Sequence, residues 1–216
     1  MTADPGFSTR DPTQPAFWDE RFRAGFTPWD AGCAPPAFLR WLDALGPGRG
    51  RRVLVPGCGR GYEVAALDAA GFEVTAIDYA ADAVAQARAS LGEALAARTL
   101  HQADFFADGP WCAQPFDLIY ERAFLAALPP ARWAEWAQRA AQRVAPGGSM
   151  AGLFVLDADA AAAPVRRGPP FATSLDELQR LLHGTFTLVE TLAVPHTESL
   201  PVFAGREMWC DWQRAR

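Results

Sequence analysis

The chain has 216 residues, of which 50% are hydrophobic, and a formal net charge of −5. That is enough apolar chain for one α/β domain with a full core, and it excludes a disordered chain. The sequence has no basic run of the kind that binds nucleic acid and no stretch near the roughly 20 apolar residues of a membrane helix.

Met1 to Pro15 is polar and lacks the apolar core of a signal peptide. It is expected to be a flexible segment ahead of a single domain, 16–216, in a cytoplasmic protein. Cys33, Cys58, Cys112 and Cys210 are scattered without a CxxC pair. Free thiols are expected, with neither zinc nor a disulfide framework. Cys58 reads as packing rather than as a nucleophile.

Phe17 to Arg23 reads as a short helix and Pro36 to Leu45 as another, stopped by Gly46-Pro47-Gly48. A strand follows at Arg52 to Val55, then the turn Gly57-Cys58-Gly59-Arg60-Gly61 and a helix to Ala70. Phe72 to Ile77 reads as a second strand ending at Asp78, and Ala80 to Ala96 as one Ala-rich helix. Arg98 to His101 and Phe116 to Tyr120 read as strands, Pro130 to Val144 as a helix, and Pro146-Gly147-Gly148 as a turn into a strand at Ser149 to Leu156. The Ala-rich patch Ala158 to Ala163 reads as a loop. Ser174 is expected to cap a helix to His183, with Glu177 completing a capping box. Phe186 to Val194 and Gly205 to Trp212 are the last strands.

Alternating βα units imply a mostly parallel sheet with helices on both faces. Two final strands without a helix between them imply one antiparallel strand. The expected fold is therefore a three-layer, Rossmann-like, seven-stranded α/β sheet.

Strand, glycine turn, helix, strand and acid make a nucleoside-binding βαβ unit. Asp78 lies 21 positions beyond Gly57 (78 − 57), the spacing at which such an acid accepts from a ribose. The turn lacks the third glycine of a dinucleotide site. Glu63, in the first helical turn, would repel a pyrophosphate. S-adenosylmethionine has no phosphate and meets neither objection. Asp104-Phe105 after the third strand suits an adenine: the carboxylate accepts from the amine and the ring packs on the base. Strands, turns and spacing together read as the class I methyltransferase fold. A nicotinamide-dependent oxidoreductase and a non-catalytic cofactor-binding protein remain the alternatives from other classes.

Four motifs extend this reading. They are Phe17-Trp18-Asp19-Glu20-Arg21-Phe22 with Thr27-Pro28-Trp29-Asp30; Val55-Pro56-Gly57-Cys58-Gly59; Tyr120-Glu121-Arg122-Ala123-Phe124-Leu125; and Gly168-Pro169-Pro170-Phe171. With these the chain resembles the thiopurine S-methyltransferase superfamily, which includes the plant halide/thiol methyltransferases. The resemblance implies an N-terminal lid over 16–45, with Trp18, Phe22 and Trp29 on the cofactor; a family tryptophan corresponds to Phe22 here. Aromatic faces attract a methylsulfonium as they attract other cations. The resemblance also implies an acceptor site beside the Gly168-Pro169-Pro170-Phe171 loop. A family Asp-Tyr pair corresponds to Glu121-Arg122, which departs from the halide/thiol branch on the acceptor side.

The expected cofactor contacts are Trp18, Phe22, Trp29, Gly57, Gly59, Asp78, Tyr79, Asp104, Phe105 and Tyr120. Arg122 is the candidate catalytic residue, because a guanidinium suits an anionic acceptor. Glu121 either pairs with Arg122 or faces the cofactor amine. His101, His183 and His196 show no triad or metal spacing, so no metal is expected. Trp133 and Trp136 read as packing on the sheet, and Trp209 and Trp212 as core or edge residues. The implied reaction is methyl transfer to a small soft nucleophile, most simply a thiol, leaving S-adenosylhomocysteine. Halide, hydrosulfide and chalcogen-oxyanion-derived acceptors stay open. The partners are small molecules, and a monomer is the default.

Overall fold

The structure is a computed structural model that describes residues 6–159 and 168–216. Most of the Ala-rich patch lies outside the described residues. The helices are α1 Pro15–Arg23, α2 Pro36–Leu45, α3 Tyr62–Ala69, α4 Ala81–Leu91, α5 Glu93–Thr99, α6 Phe124–Ala127, α7 Trp133–Arg143 and α8 Leu175–Leu182. The strands are β1 Arg52–Pro56, β2 Glu73–Asp78, β3 Leu100–Gln102, β4 Phe116–Arg122, β5 Val144–Val155, β6 Phe186–Ala193 and β7 Glu207–Arg214.

The strands form one sheet in the order β3-β2-β1-β4-β5-β7-β6. β7 inserts between β5 and β6 and runs antiparallel to both, while the other pairs are parallel. The expected Rossmann-like architecture with one antiparallel strand is what the chain forms.

Strand alternation splits the core between the two faces. Val53 and Val55 face α2, α3, α4 and α5, where Phe38, Val64, Leu67, Ala87 and Ala96 are buried. Leu54 faces the opposite side, where Trp133 and Trp136 of α7 and Leu178 and Leu182 of α8 are buried. Each such fully buried large side chain contributes about 2 kcal/mol. Trp209 and Trp212 of β7 are both core residues, one on each face.

Two local expectations change. The single helix over 80–96 is two helices, because Gly92 takes φ +77° and breaks the hydrogen-bond ladder between them. Pro146-Gly147-Gly148 is not a free turn before β5: the strand begins at Val144, opposite Phe116, with a register shift before Leu118. The short α6 follows β4 directly. The cap at Ser174 forms as expected, its hydroxyl accepting from the Glu177 N–H at 3.2 Å, while Glu177 accepts from the Thr173 hydroxyl at 2.9 Å.

Candidate functional site

The strand order reverses between β1 and β4, and a cavity of about 510 Å³ opens beyond the carboxyl ends of these strands. This is where open α/β sheets bind ligands, and the volume lies in the range of small-molecule sites. The turn after β1 forms its floor. Gly57, Gly59 and Gly61 take φ of +59°, +52° and +76°. A Cβ at Gly57 would meet the Phe124 ring at 2.7 Å, so that position requires glycine for space as well as for conformation. Cys58 is buried, and burial pushes its thiol well above the usual range, which agrees with a packing role.

Asp78, at the end of β2, is buried and lines the cavity. Its two oxygens accept from the N–H groups of Ala80 at 3.0 Å and Gly59 at 3.2 Å. It therefore ties the second strand to the glycine turn. Burial raises its carboxyl to about 6 against these hydrogen bonds. Asp104 and Phe105 line the same end of the cavity. Asp104 is exposed and accepts from the Phe106 N–H at 2.9 Å, and Phe105 is buried with its ring 5.2 Å from Phe124.

The N-terminal residues cover this end. Trp18 and Trp29 meet edge-on at 5.4 Å, and Phe22 meets Trp29 at 5.9 Å; all three line the cavity. Asp30, from the Thr27-Pro28-Trp29-Asp30 motif, pairs with Arg60 of the glycine turn at 3.1 Å. Asp19 of α1 accepts from the Asp82 N–H at 2.8 Å, which seats α1 on α4.

The lead-in also makes contacts. Phe7 is buried against Phe26, and the Arg21 guanidinium lies over the rings of Phe7 and Phe17. Ser8 and Thr9 donate to the Glu20 carboxylate, and the Thr9 hydroxyl leads in holding that group down to about 2. Tyr79 lines the cavity too, but its hydroxyl donates to the Pro12 carbonyl at 2.8 Å.

Tyr120 is a correction. It does not line the cavity. Its ring is fully buried below it, 4.6 Å from Phe38 and 6.4 Å from Trp41, because its position on β4 turns it toward α2. Its hydroxyl is buried without a hydrogen-bond partner among the described residues. Glu63, on the first turn of α3, is buried and lines the cavity, and burial raises its carboxyl. The sequence used Glu63 only to argue against pyrophosphate, and its place in the site was missed.

Glu121 and Arg122 separate. Glu121 is fully buried and accepts from the N–H groups of Ala123 at 3.1 Å and Leu125 at 2.6 Å, so it caps α6. Burial raises it to about 7. Neither reading from sequence, a pair with Arg122 or a contact to a cofactor amine, describes it. Arg122 does line the cavity, with its guanidinium 5.1 Å from the Phe203 ring, and it forms an ion pair with the buried Glu207. Glu207 was not singled out in the sequence, because nothing in the spacing joins positions 122 and 207. Gly168, Pro169, Pro170, Val202 and Phe203 complete this apolar end. The three histidines are exposed and none lines the cavity. No cluster of His, Cys, Asp and Glu able to hold a metal occurs among the described residues.

Residues 13–215 match the thiopurine S-methyltransferase family. The chain is 32% identical to probable thiol methyltransferase 2 of Arabidopsis thaliana over 76% of its length and 70% of the relative's. It is 31% identical to the thiopurine S-methyltransferase of Pseudomonas fluorescens over 81% of its length and 84% of the relative's. Among solved structures it is similar in fold, with a TM-score of 0.72 at 18% identity, to an N1-methyltransferase of Burkholderia thailandensis that holds S-adenosylhomocysteine. That likeness covers 100% of this chain and 99% of the other. With its class I methyltransferase fold and this match along nearly its whole length, the chain belongs to the thiopurine S-methyltransferase family, whose methyl donor is S-adenosylmethionine.

Proposed function

We propose that this methyltransferase transfers its methyl group to a thiol sulfur on an apolar small molecule. The observation that carries the reading is the position of Trp29. It packs against the cluster of Phe22, Ala80 and Ala83 on the nucleoside side and against the cluster of Ala126, Val155, Ala172 and Phe203 on the other. One indole therefore borders both halves of the cavity, where donor and acceptor must meet.

The residues present fit the donor. Asp78 and Asp104 would take the ribose and adenine polar groups, and Phe105 would pack on the base. Gly57 and Gly59 would admit its chain beside the turn. Trp18, Phe22 and Trp29 would face the sulfonium. Residues 16–45 would act as the lid that excludes water. When bound, S-adenosylmethionine would supply an electrophilic methyl carbon that a thiolate sulfur could attack in line, with S-adenosylhomocysteine as the leaving group.

The chain's part is then orientation. The carboxylates and aromatic rings hold one reactant, the apolar wall of Val202, Phe203, Pro169 and Pro170 holds the other, and the lid keeps water out. A thiol with a near-neutral pKa supplies its own thiolate and needs little base assistance. That matches a site whose walls carry no histidine. The same reading includes a cytoplasmic monomer, the compartment being supported by four free cysteines.

The test is a panel of aromatic and alkyl thiols, a thiopurine, hydrosulfide and iodide, assayed with labelled S-adenosylmethionine. The expected result is transfer to aromatic thiols above all others. Tight binding of S-adenosylhomocysteine with no transfer to any thiol would overturn the reading.

A further inference from the structure

Arg122 carries a permanent positive charge at the acceptor end of the cavity, yet the surroundings oppose that charge. Its guanidinium is paired with Glu207, whose side chain is only 2% exposed. Glu207 is fixed in turn. Its second oxygen accepts from the Ser199 hydroxyl at 2.6 Å and from the Leu200 N–H at 3.3 Å. Leu200 opens the 3-10 turn Pro201–Phe203, which carries the apolar wall residues Val202 and Phe203. One buried carboxylate thus joins β4, β7 and the acceptor wall. Two further carboxylates act on Arg122 at longer range, Glu63 from α3 and Glu121 from its own strand.

We propose that Glu207 is a specificity-determining positioning residue. It holds Arg122 against the acceptor wall and cancels its charge, so that the wall selects acceptors by apolar contact and rejects small inorganic anions. The inference rests on the reading that Arg122 faces the acceptor. It narrows the acceptor class from soft nucleophiles in general to apolar thiols. The physical argument is simple. A lone guanidinium in a partly buried cleft attracts an anion strongly, because screening by water is weak there. A guanidinium already paired with a buried carboxylate presents donors without net charge. Among the described residues, Pro169, Pro170, Val202 and Phe203 present rings and aliphatic carbons beside it.

The experiment measures binding rather than turnover. The protein is loaded with S-adenosylhomocysteine and titrated with thiocyanate, a small soft anion, and separately with thioanisole, an uncharged aromatic thioether. Both titrations are read by tryptophan fluorescence. Glu207→Gln keeps the size and most hydrogen bonds of the side chain and removes its charge. It should bind thiocyanate at least about tenfold more tightly than the parent, the scale of one uncompensated charge at such a site. Thioanisole binding should change less than about threefold.

Removing one partner of a buried pair destabilises a protein, whereas replacing both is tolerated. The double variant Arg122→Gln/Glu207→Gln therefore carries the test if the single variant fails to fold. With both charges gone, thiocyanate should bind as in the parent, within about threefold. If Arg122 were an anion site in its own right, the double variant would lose about tenfold.

Unchanged thiocyanate affinity in Glu207→Gln, an equal loss for both probes, or loss of S-adenosylhomocysteine binding would each overturn the proposal. Because nothing here depends on methyl transfer, a protein showing the predicted pattern but methylating no thiol would refute the acceptor reading alone.

Discussion

The indole N–H of Trp18 and the hydroxyl of Tyr79 donate to the same acceptor, the carbonyl oxygen of Pro12, at 2.9 and 2.8 Å. Trp18 belongs to α1, Tyr79 follows the strand that carries Asp78, and Pro12 lies in the lead-in. The lead-in and α1, neighbours in sequence, are thus pinned at one atom to a residue 67 positions away, over the Asp78 end of the cavity. The pair holds the cover in place from both sides.

Tyr79→Phe removes one of the two donors without changing the ring. A hydrogen bond of this kind contributes about 1 kcal/mol net. The release of S-adenosylhomocysteine, followed by stopped-flow fluorescence, should accelerate about fivefold, with the melting temperature nearly unchanged. An unaltered release rate would mean the shared carbonyl does not restrain the cover.

Asp78 can accept from ribose hydroxyls fully only as a carboxylate, and burial raises its carboxyl to about 6. Affinity for S-adenosylhomocysteine should therefore be flat above about pH 7. It should fall as pH drops through 6, by up to about tenfold per pH unit. Asp78→Asn should bind about 10–100-fold more weakly, the range for losing a charged hydrogen-bond partner, and should lack this inflection. Calorimetric titrations between pH 5 and 8 make the comparison.

Two of the three turn glycines, Gly57 and Gly59, should respond differently to alanine. Both have left-handed φ, a strain of about 1 kcal/mol for any other residue. At Gly57 the new Cβ also meets the Phe124 ring at 2.7 Å, whereas at Gly59 its nearest neighbour is the Phe22 ring at 3.8 Å. Gly57→Ala should thus lose about 2–4 kcal/mol in urea unfolding, against about 1 kcal/mol for Gly59→Ala.

Glu121 supplies a stability prediction with a definite sign. Its carboxyl is raised to about 7 in the folded protein, chiefly by burial, and reverts to an ordinary carboxylate value on unfolding. Between about pH 4.5 and 7 the folded state holds the extra proton, so stability falls as pH rises across this window and levels off above it. The contribution is at most about 3 kcal/mol. Asp78 adds in the same direction up to about pH 6. Urea melts of Glu121→Gln should show a visibly shallower pH slope than the parent. An equal slope would assign the effect to other groups.

Local patterning carried much of the architecture. Val53-Leu54-Val55 into a glycine turn, the acid at position 78, and Pro or Gly at helix ends are short-range signals, because backbone conformation and strand alternation are set by neighbours in sequence. The same applies to Asp78, Asp104 and Phe105 at the cavity, since their positions follow from strand ends, whereas Trp18 and Trp29 were legible through the motifs that resemble the thiopurine S-methyltransferase superfamily. Gly92 was misjudged because a single glycine in an Ala-rich helix is tolerated or breaks it according to what packs outside.

Other features depended on what the folded chain brings together. Tyr120 and Arg122 stand two residues apart on one strand, yet one is sealed beneath the cavity and the other reaches into it. Glu121 turned out to serve the backbone of α6, and Arg122 found its counterion 85 residues away, on the strand that inserts between β5 and β6. The order of residues determined which segments are strands, where the cavity opens beyond the first two strands, and that the chain can hold an adenosyl cofactor. Which carboxylate neutralises Arg122, and that Tyr120 lies sealed beneath the cavity, were decided only in three dimensions, because such contacts depend on distances between side chains that no sequence separation fixes.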